Sequence, residues 1–322
     1  MNKVLRFSLK AARQVNLALY PDSSIFGRNS KMFPLKDYAS SLIFEALSSQ
    51  EPAMIARLGA TEMSCLTNYL GVKQITDRGI NKFIKGQVPE WWWEKSKIRE
   101  MEKSSGFFPQ SIPKIEQFCE LMLSDMSNIN ILGSWLKEEK FFKKQLFHAR
   151  QVMLEDLEPF FVNNIPWTQA LKHKKVLVVH PFEETIRRQF LVKDKLFSNN
   201  LLPDFELITI KAVQTIAGEK SRFSDWFEAL DYMKEQIDSK DYDICILGCG
   251  AYGLPLASFI KKRGKKAIHL GGVTQLLFGI KGKRWENYLW YPYENLYNDY
   301  WVRPGDSEKP VNASVVEGGC YW

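Results

Sequence analysis

No apolar run in this chain approaches the roughly 18 residues that a bilayer-spanning helix requires, so a membrane-spanning helix is not expected. The amino-terminal stretch MNKVLRFSLKAARQVNLAL lacks an uninterrupted apolar core and a small-residue cleavage site, and so does not read as a secretory signal. Cysteine is scarce and unpatterned. Cys65, Cys119, Cys245, Cys249 and Cys320 form no C-x-x-C pair, which points to free thiols in a reducing compartment rather than a disulfide framework. The four histidines, His148, His173, His180 and His269, are too scattered for a His-rich metal site. Zinc-finger spacing and RNP-type aromatic motifs are missing, so nucleic acid is not the expected partner. Internal repeats and low-complexity blocks are missing as well.

The composition is that of a globular protein, with 45% hydrophobic and 25% charged residues in a chain of 322, ample to bury a core. A net charge of +7 suits an anionic ligand or an anionic membrane surface. Ten tryptophans are many, and their rings suit either core packing or stacking on sugars. The basic, amphipathic segment 1–34 suits peripheral contact with a membrane or docking as a surface helix.

Strand and helix patterns alternate along the rest of the chain. Apolar residues at helical spacing predict helices over Leu35–Ser49, Thr61–Leu70, Ile115–Leu123, Pro166–Leu171, Glu183–Phe197 and Phe223–Ile237. Short apolar runs predict strands at Ala53–Leu58, Asn130–Leu132, Gln151–Leu154, Lys174–Val179, Phe205–Ile210, Ile244–Leu247 and Lys266–Leu270. Such alternation implies an α/β fold: a Rossmann-like, mainly parallel sheet with helices on both faces. The domain is expected over 35–285, with helices, loops and a flap in the Trp-rich stretch 80–110. The irregular, aromatic segment 286–322 is expected to pack on it.

The densest chemistry lies between Asp243 and Trp285. A strand enters Gly248-x-Gly250-x-x-Gly253, a helix follows to Lys262, and a second strand delivers His269 and then Gly271-Gly272, ahead of a second helix. Eight Lys or Arg lie between Lys261 and Arg284, and no carboxylate occurs from Gly253 to Trp285. Two glycine turns at the carboxyl ends of strands suit a phosphate held by backbone amides. An NAD site also needs an acid near the end of the second strand for the ribose hydroxyls, where this chain has His269. A nicotinamide cofactor is therefore not favoured. His180 ends the Val-rich strand, at a position where such sheets contact ligands.

The run His269-Leu270-Gly271-Gly272-Val273-Thr274 continuing to Lys281-Gly282-Lys283-Arg284-Trp285 resembles a signature of GT-D-type glycosyltransferases of bacterial surface-polysaccharide and O-antigen clusters. Tyr300-Trp301-Val302-Arg303-Pro304 and the ending Glu317-Gly318-Gly319-Cys320-Tyr321-Trp322 share the resemblance, which extends from about Phe33 onward. That family carries an arginine-glycine turn with a D-x-E motif. Arg57, Gly59 and Glu62 match it, whereas Ala60 stands at the aspartate position.

The resemblance implies transfer of a sugar from a nucleotide-sugar donor to a glycan or glycolipid acceptor. It implies Glu62 and His269 as catalytic residues. It also implies donor contacts from Arg57, Gly59, His180, Gly248, Gly250, Gly253, Gly271, Gly272, Lys281 and Arg284. A divalent Mn²⁺ or Mg²⁺ would rest on Glu62 alone, because Ala60 removes the second carboxylate. Glu183 and Glu184 are further acids for activating an acceptor hydroxyl. The expected location is cytoplasmic, with contact at the inner face of the membrane. Two alternatives stay open, a non-catalytic nucleotide- or glycan-binding subunit and an NADP-linked sugar-modifying enzyme.

Overall fold

The computed structural model describes residues 2–29, 36–75, 78–286, 288 and 291–322. Seven strands form one sheet: β1 (Ala53–Arg57), β2 (Ile131–Ser134), β3 (Arg150–Met153), β4 (Lys175–His180), β5 (Glu206–Lys211), β6 (Ile244–Leu247) and β7 (Lys266–His269). Their order is β3-β2-β1-β7-β6-β4-β5, and every pairing is parallel. The central strands are buried on both faces, which is why they read as unbroken apolar runs rather than alternating ones.

Eleven α-helices are described, namely α1 (Lys3–Leu19), α2 (Lys36–Ser48), α3 (Ala60–Val72), α4 (Ile80–Ile84), α5 (Lys95–Ser105), α6 (Ile112–Met126), α7 (Lys143–Leu146), α8 (Glu183–Phe190), α9 (Trp226–Asp238), α10 (Gly253–Lys262) and α11 (Thr274–Leu277). Period-2 alternation divides the sheet's side chains between two cores. Met54, Ala56, Leu177 and Leu247 pack with α3, α6, α9 and α10 on one face. Ala53, Ile55, Val178 and Ile246 pack with α2, α8, α11 and the carboxyl-terminal segment on the other.

This arrangement opens a crevice. The chain leaves β1 and β6 toward the first face, and β4 and β7 toward the second. Those four strands lie side by side in the order β1-β7-β6-β4. Successive connections therefore part to opposite sides and leave a gap at the strands' carboxyl ends, where open α/β sheets bind ligands.

The segment after α11 has no regular sheet of its own. Ile280 bridges Val302, and Trp301, Val316 and Trp322 are buried, with Trp301 and Trp322 in the second core. Glu308 accepts hydrogen bonds from the amides of Glu184 (2.8 Å) and Thr185 (3.2 Å) and so caps the amino end of α8. A satellite cluster of Leu9, Phe83, Val88 and Trp92 joins α1 and α4. It is tied to α3 through Asn68, whose side-chain amide donates to the carbonyls of Glu90 and Trp92.

Two elements differ from the sequence reading. The helix expected to reach Phe197 stops at Phe190. Phe190 packs on Phe205 while Phe197 turns to Phe160 and Trp301, which takes the chain off one helical path. The helix after Gly271-Gly272 lasts only from Thr274 to Leu277, because Gly279 adopts a left-handed conformation (φ +63°) that ends it. In the stretch expected to form a flap, Trp92 is buried and Trp91 stacks edge-on against Phe83. Leu35, at the start of one expected helix, lies outside the described residues. No helix among the described residues is long and apolar enough to cross a membrane.

Candidate active site

A cleft of about 500 Å³ occupies the crevice. Ten residues singled out from sequence line it: Arg57, Gly59, Glu62, His180, Gly248, Gly250, His269, Gly271, Gly272 and Arg284. Gly253 and Lys281 do not. Gly253 lies behind the His269 ring, where a Cβ would stand 2.1 Å from its Cε1. Lys281 turns away, its ammonium 5.3 Å from the ring centre of Tyr297 and its amide donating to Val302. Glu183 and Glu184 are also off the wall. The Glu183 carboxylate accepts from Thr209 (2.7 Å), and Glu184 lies in the first turn of α8 under the Glu308 cap.

Glu62 occupies the third position of α3, the first-turn position from which a carboxylate reaches back toward the helix start. Its carboxylate lies over Gly59, so close that a Cβ there would stand 1.9 Å from Oε2. Glycine at 59 is thus what admits the carboxylate. Glu62 is nearly buried yet takes no hydrogen bond from any described residue.

The two histidines are fixed as neutral rings by different contacts. The Phe182 amide donates to His180 Nδ1 (2.9 Å), so the ring proton sits on Nε2. Burial pushes the His180 pKa down to about 3. His269 does the reverse. Its Nδ1–H donates to the Leu247 carbonyl (3.3 Å), which leaves Nε2 as a lone-pair acceptor. Burial, then the nearby charge of Arg57, holds the His269 pKa near 3. A proton carrier works best with a pKa near the operating pH, so His269 is a poor acid or base and is better read as a positioning residue.

The glycines serve two purposes. Gly248 must lack a side chain because the His180 ring and Thr274 crowd it, with a Cβ falling 2.4 Å from His180 Cδ2. Gly272 is equally close to the Tyr321 ring. Gly250 and Gly271 adopt positive φ (+56° and +69°), which turns the chain sharply at the ends of β6 and β7.

Three arginines stand on the wall. Arg28 pairs with Glu155, and Arg284 pairs with Glu317 and donates to the Tyr321 hydroxyl (3.0 Å). Arg57 is different. Its guanidinium packs 5.3 Å from the Trp135 ring centre and against Gly271, and its Nε is buried without a partner. The Glu62 charge acts on it without an ion-pair contact. Glu155 Oε2, Tyr252 Oη, Gln275 Oε1 and Trp322 Nε1 on the same wall are also buried and unpartnered. Buried polar atoms are nearly always hydrogen-bonded, so five exceptions on one cleft mark a surface built for a ligand's polar atoms.

Several of these groups were not found from sequence. Glu155 and Glu158 follow β3 and reach the cleft through a tyrosine-rich network. Tyr288 donates to Glu155 (3.1 Å) and Tyr293 donates to Glu158 (2.5 Å), while the Lys36 ammonium donates to the Glu155 carbonyl (2.8 Å). Complete burial pushes the Glu158 carboxyl up to about 8 against the opposing pull of Lys36. The cluster LEDLE offers only alternating acids and leucines as a signal, and nothing in it announces a wall facing segment 286–322.

The donor set does not suit a resident Mn²⁺ or Mg²⁺. Such ions take one or two carboxylates beside substrate oxygens, whereas Glu62 here stands beside a cation, Arg57. Among the described residues no group of three or more His, Cys, Asp or Glu is placed to hold a metal ion. Fold and site together define an α/β protein with a Rossmann-like, all-parallel sheet and a ligand cleft across its carboxyl edge. No family model, curated protein or solved structure matches the chain.

Proposed function

We propose that the cleft binds a nucleotide sugar and that the protein transfers its sugar to a glycan or glycolipid acceptor of a bacterial surface polysaccharide. The observation that carries this reading is Arg57, a half-buried cation whose Nε is buried without a hydrogen-bond partner, beside the buried carboxylate of Glu62, which takes no hydrogen bond from a described residue. Next to them are the amino end of α3 and the glycine turns at Gly250 and Gly271. A diphosphate needs such cationic and amide donors, and a hydroxyl nucleophile needs such a carboxylate.

In this reading Arg57 and the first-turn amides of α3 hold the diphosphate, and His180 Nε2–H offers one neutral donor. The acceptor oxygen bonds to the anomeric carbon as its proton passes to Glu62. The bond from that carbon to the diphosphate oxygen breaks, and its electron pair stays on the diphosphate opposite Arg57. No step is routed through a metal ion.

Calorimetric titration with UDP-, GDP-, CMP- and dTDP-sugars tests the binding step. One of them should bind, and Arg57→Ala should weaken that binding at least about tenfold, the loss expected for one charge-assisted contact. Glu62→Gln should keep the binding and lose the turnover. If none of the four classes binds, the reading is wrong. Ala60 favours a second reading, a nucleotide- or glycan-binding subunit without turnover, which predicts binding unaltered by Glu62→Gln and no product. The NADP-linked alternative predicts quenching of tryptophan fluorescence by NADPH but not by nucleotide sugars.

A further inference from the structure

Helix α1 is inverted relative to an ordinary surface helix. At 100° per residue, Phe7, Val4, Val15 and Leu19 fall within an arc of about 120°. That arc faces solvent, since Val4 is 69%, Phe7 75%, Val15 61% and Leu19 67% exposed. The opposite side carries Leu9 together with two arginines. Arg13 pairs with Glu90 (3.1 Å) and lies over the rings of Phe26 and Phe83, and Arg6 lies over Trp92. A soluble helix does the reverse, turning its apolar stripe inward and its charges to water. Here Arg13 is met by an acid and two aromatic faces, Arg6 lies over Trp92 with its Nε buried and unpartnered, and the apolar stripe has no covering element among the described residues.

Charge identifies what covers it. The 17 residues of α1 include no Asp or Glu and four cations, with Lys3 and Lys10 along one edge of the stripe. The adjoining α4 presents a further exposed apolar residue, Ile80, and is bordered by exposed Arg78 and Lys85. An apolar stripe edged by cations is the pattern of a helix lying in the headgroup region of an anionic bilayer.

We propose that α1 docks the protein on an anionic membrane surface, its Phe7–Leu19 stripe among the acyl chains and its flanking cations against lipid phosphates. The helix lies in the plane of the membrane and does not cross it. The satellite cluster it belongs to is bonded to α3, so docking holds the candidate active site at a fixed height above the lipid. The inference does not rest on sugar transfer and would stand if no nucleotide sugar bound.

The test is co-sedimentation of the full chain with phosphatidylcholine vesicles containing or lacking phosphatidylglycerol. The protein should sediment with the anionic vesicles and be released by salt, as expected for a contact with a strong Coulombic component. The double variant Phe7→Glu/Val15→Glu should bind at least about tenfold more weakly, since two acids would have to enter the interface. Both positions are exposed, so its thermal unfolding should match that of the wild type, while Phe7→Leu should retain binding. Wild-type protein that stays in the supernatant with both vesicles would overturn the proposal. So would a wild-type dimer, by light scattering, that the double variant makes monomeric without any vesicle binding; the stripe would then join two copies of the chain.

Discussion

Gly253 is the first residue of α10, with ordinary helical backbone angles (φ −61°, ψ −44°). Judged by backbone alone, Gly253→Ala should stabilise the helix by up to about 1 kcal/mol. Packing says otherwise. A Cβ there would stand 2.1 Å from Cε1 and 2.2 Å from Nδ1 of His269. Ordinary carbon contacts are about 3.5 Å or longer, so the imidazole would have to retreat by about 1.4 Å. The ring is buried, and its Nδ1–H is engaged with the Leu247 carbonyl, so retreat breaks that bond and strains the β6–β7 layer. Overpacking of this kind costs about 1–3 kcal/mol, which outweighs the propensity gain and leaves a net loss of about 1–2 kcal/mol. Replacing His269 by Ala alone leaves a hole and an unpaired carbonyl, at a cost of about 2 kcal/mol. Together the two changes should compensate, because the methyl at 253 then enters the space the ring vacated. Urea unfolding of the two single variants and the double should therefore give a coupling of about 1–2 kcal/mol in the favourable direction. Additive effects, or a Gly253→Ala protein at least as stable as the wild type, would refute the packing argument. They would restore Gly253 as a turn residue selected for a ligand.

Glu308→Ala should cost about 1–2 kcal/mol in chemical unfolding, because it strands the amides of Glu184 and Thr185 at a part-buried helix start. Glu308→Gln, which keeps an acceptor oxygen, should cost clearly less, and equal losses would mean that the cap is not the source. Glu158 predicts a pH dependence whose sign follows from its raised pKa. Its neighbours are Lys36, Tyr293, Glu155 and Asp156, and burial lifts it to about 8, whereas an unfolded glutamate titrates near 4.3. Between those values the folded chain holds a proton that the unfolded chain has lost. Stability should therefore be greatest below about pH 4 for this group and decline through about pH 8, by at most about 1.4 kcal/mol per unit. Glu158→Gln should remove that part of the slope between about pH 5 and about pH 8, and an unchanged slope would show that Glu158 titrates normally.

Local signals decided what was legible in advance. The strands were readable because burial on both faces leaves unbroken runs such as Ile244–Leu247, and the turns because Gly248, Gly250, Gly271 and Gly272 must admit neighbouring rings or adopt positive φ. Gly253 matched the spacing of a phosphate fingerprint for a different reason, the close approach of a histidine ring. Spacing alone cannot separate those causes. Lys281 looked like part of a basic run toward the cleft, but its direction depends on pairing between Ile280 and Val302, more than twenty residues apart. Glu155 and Glu158 were missed for the same reason. Their partners Tyr288 and Tyr293 come from the segment after the last helix, and only the fold brings them together. The inward arginines of α1 were equally hidden, since their partner acid and rings come from 26–92.

How the cleft satisfies its own charges narrows where an anionic ligand can sit. Of the four connections around it, the one after β4 opens into α8, whose amino end already carries the Glu308 carboxylate. A second anion there would meet a negative group rather than free amides, so the His180 turn can offer only a neutral donor. At the far end, Arg284 is neutralised by Glu317 and Arg28 by Glu155. That leaves the junction of β1, β7 and β6, where Arg57, the first turn of α3 and the glycines at 250 and 271 converge with no described acceptor on the arginine. Glu62 shares this zone, its carboxylate lying over Gly59 at the amino end of α3, and Ala60 keeps the zone from acquiring a second carboxylate. An aspartate at 60 would place a second negative charge beside Glu62 and draw Arg57 into an ion pair. In the proposed reading Ala60 therefore leaves Arg57 to meet the diphosphate directly, in place of a cation held between two carboxylates. On that reasoning, Ala60→Asp should weaken donor binding in the absence of divalent ions, although it restores the D-x-E pattern.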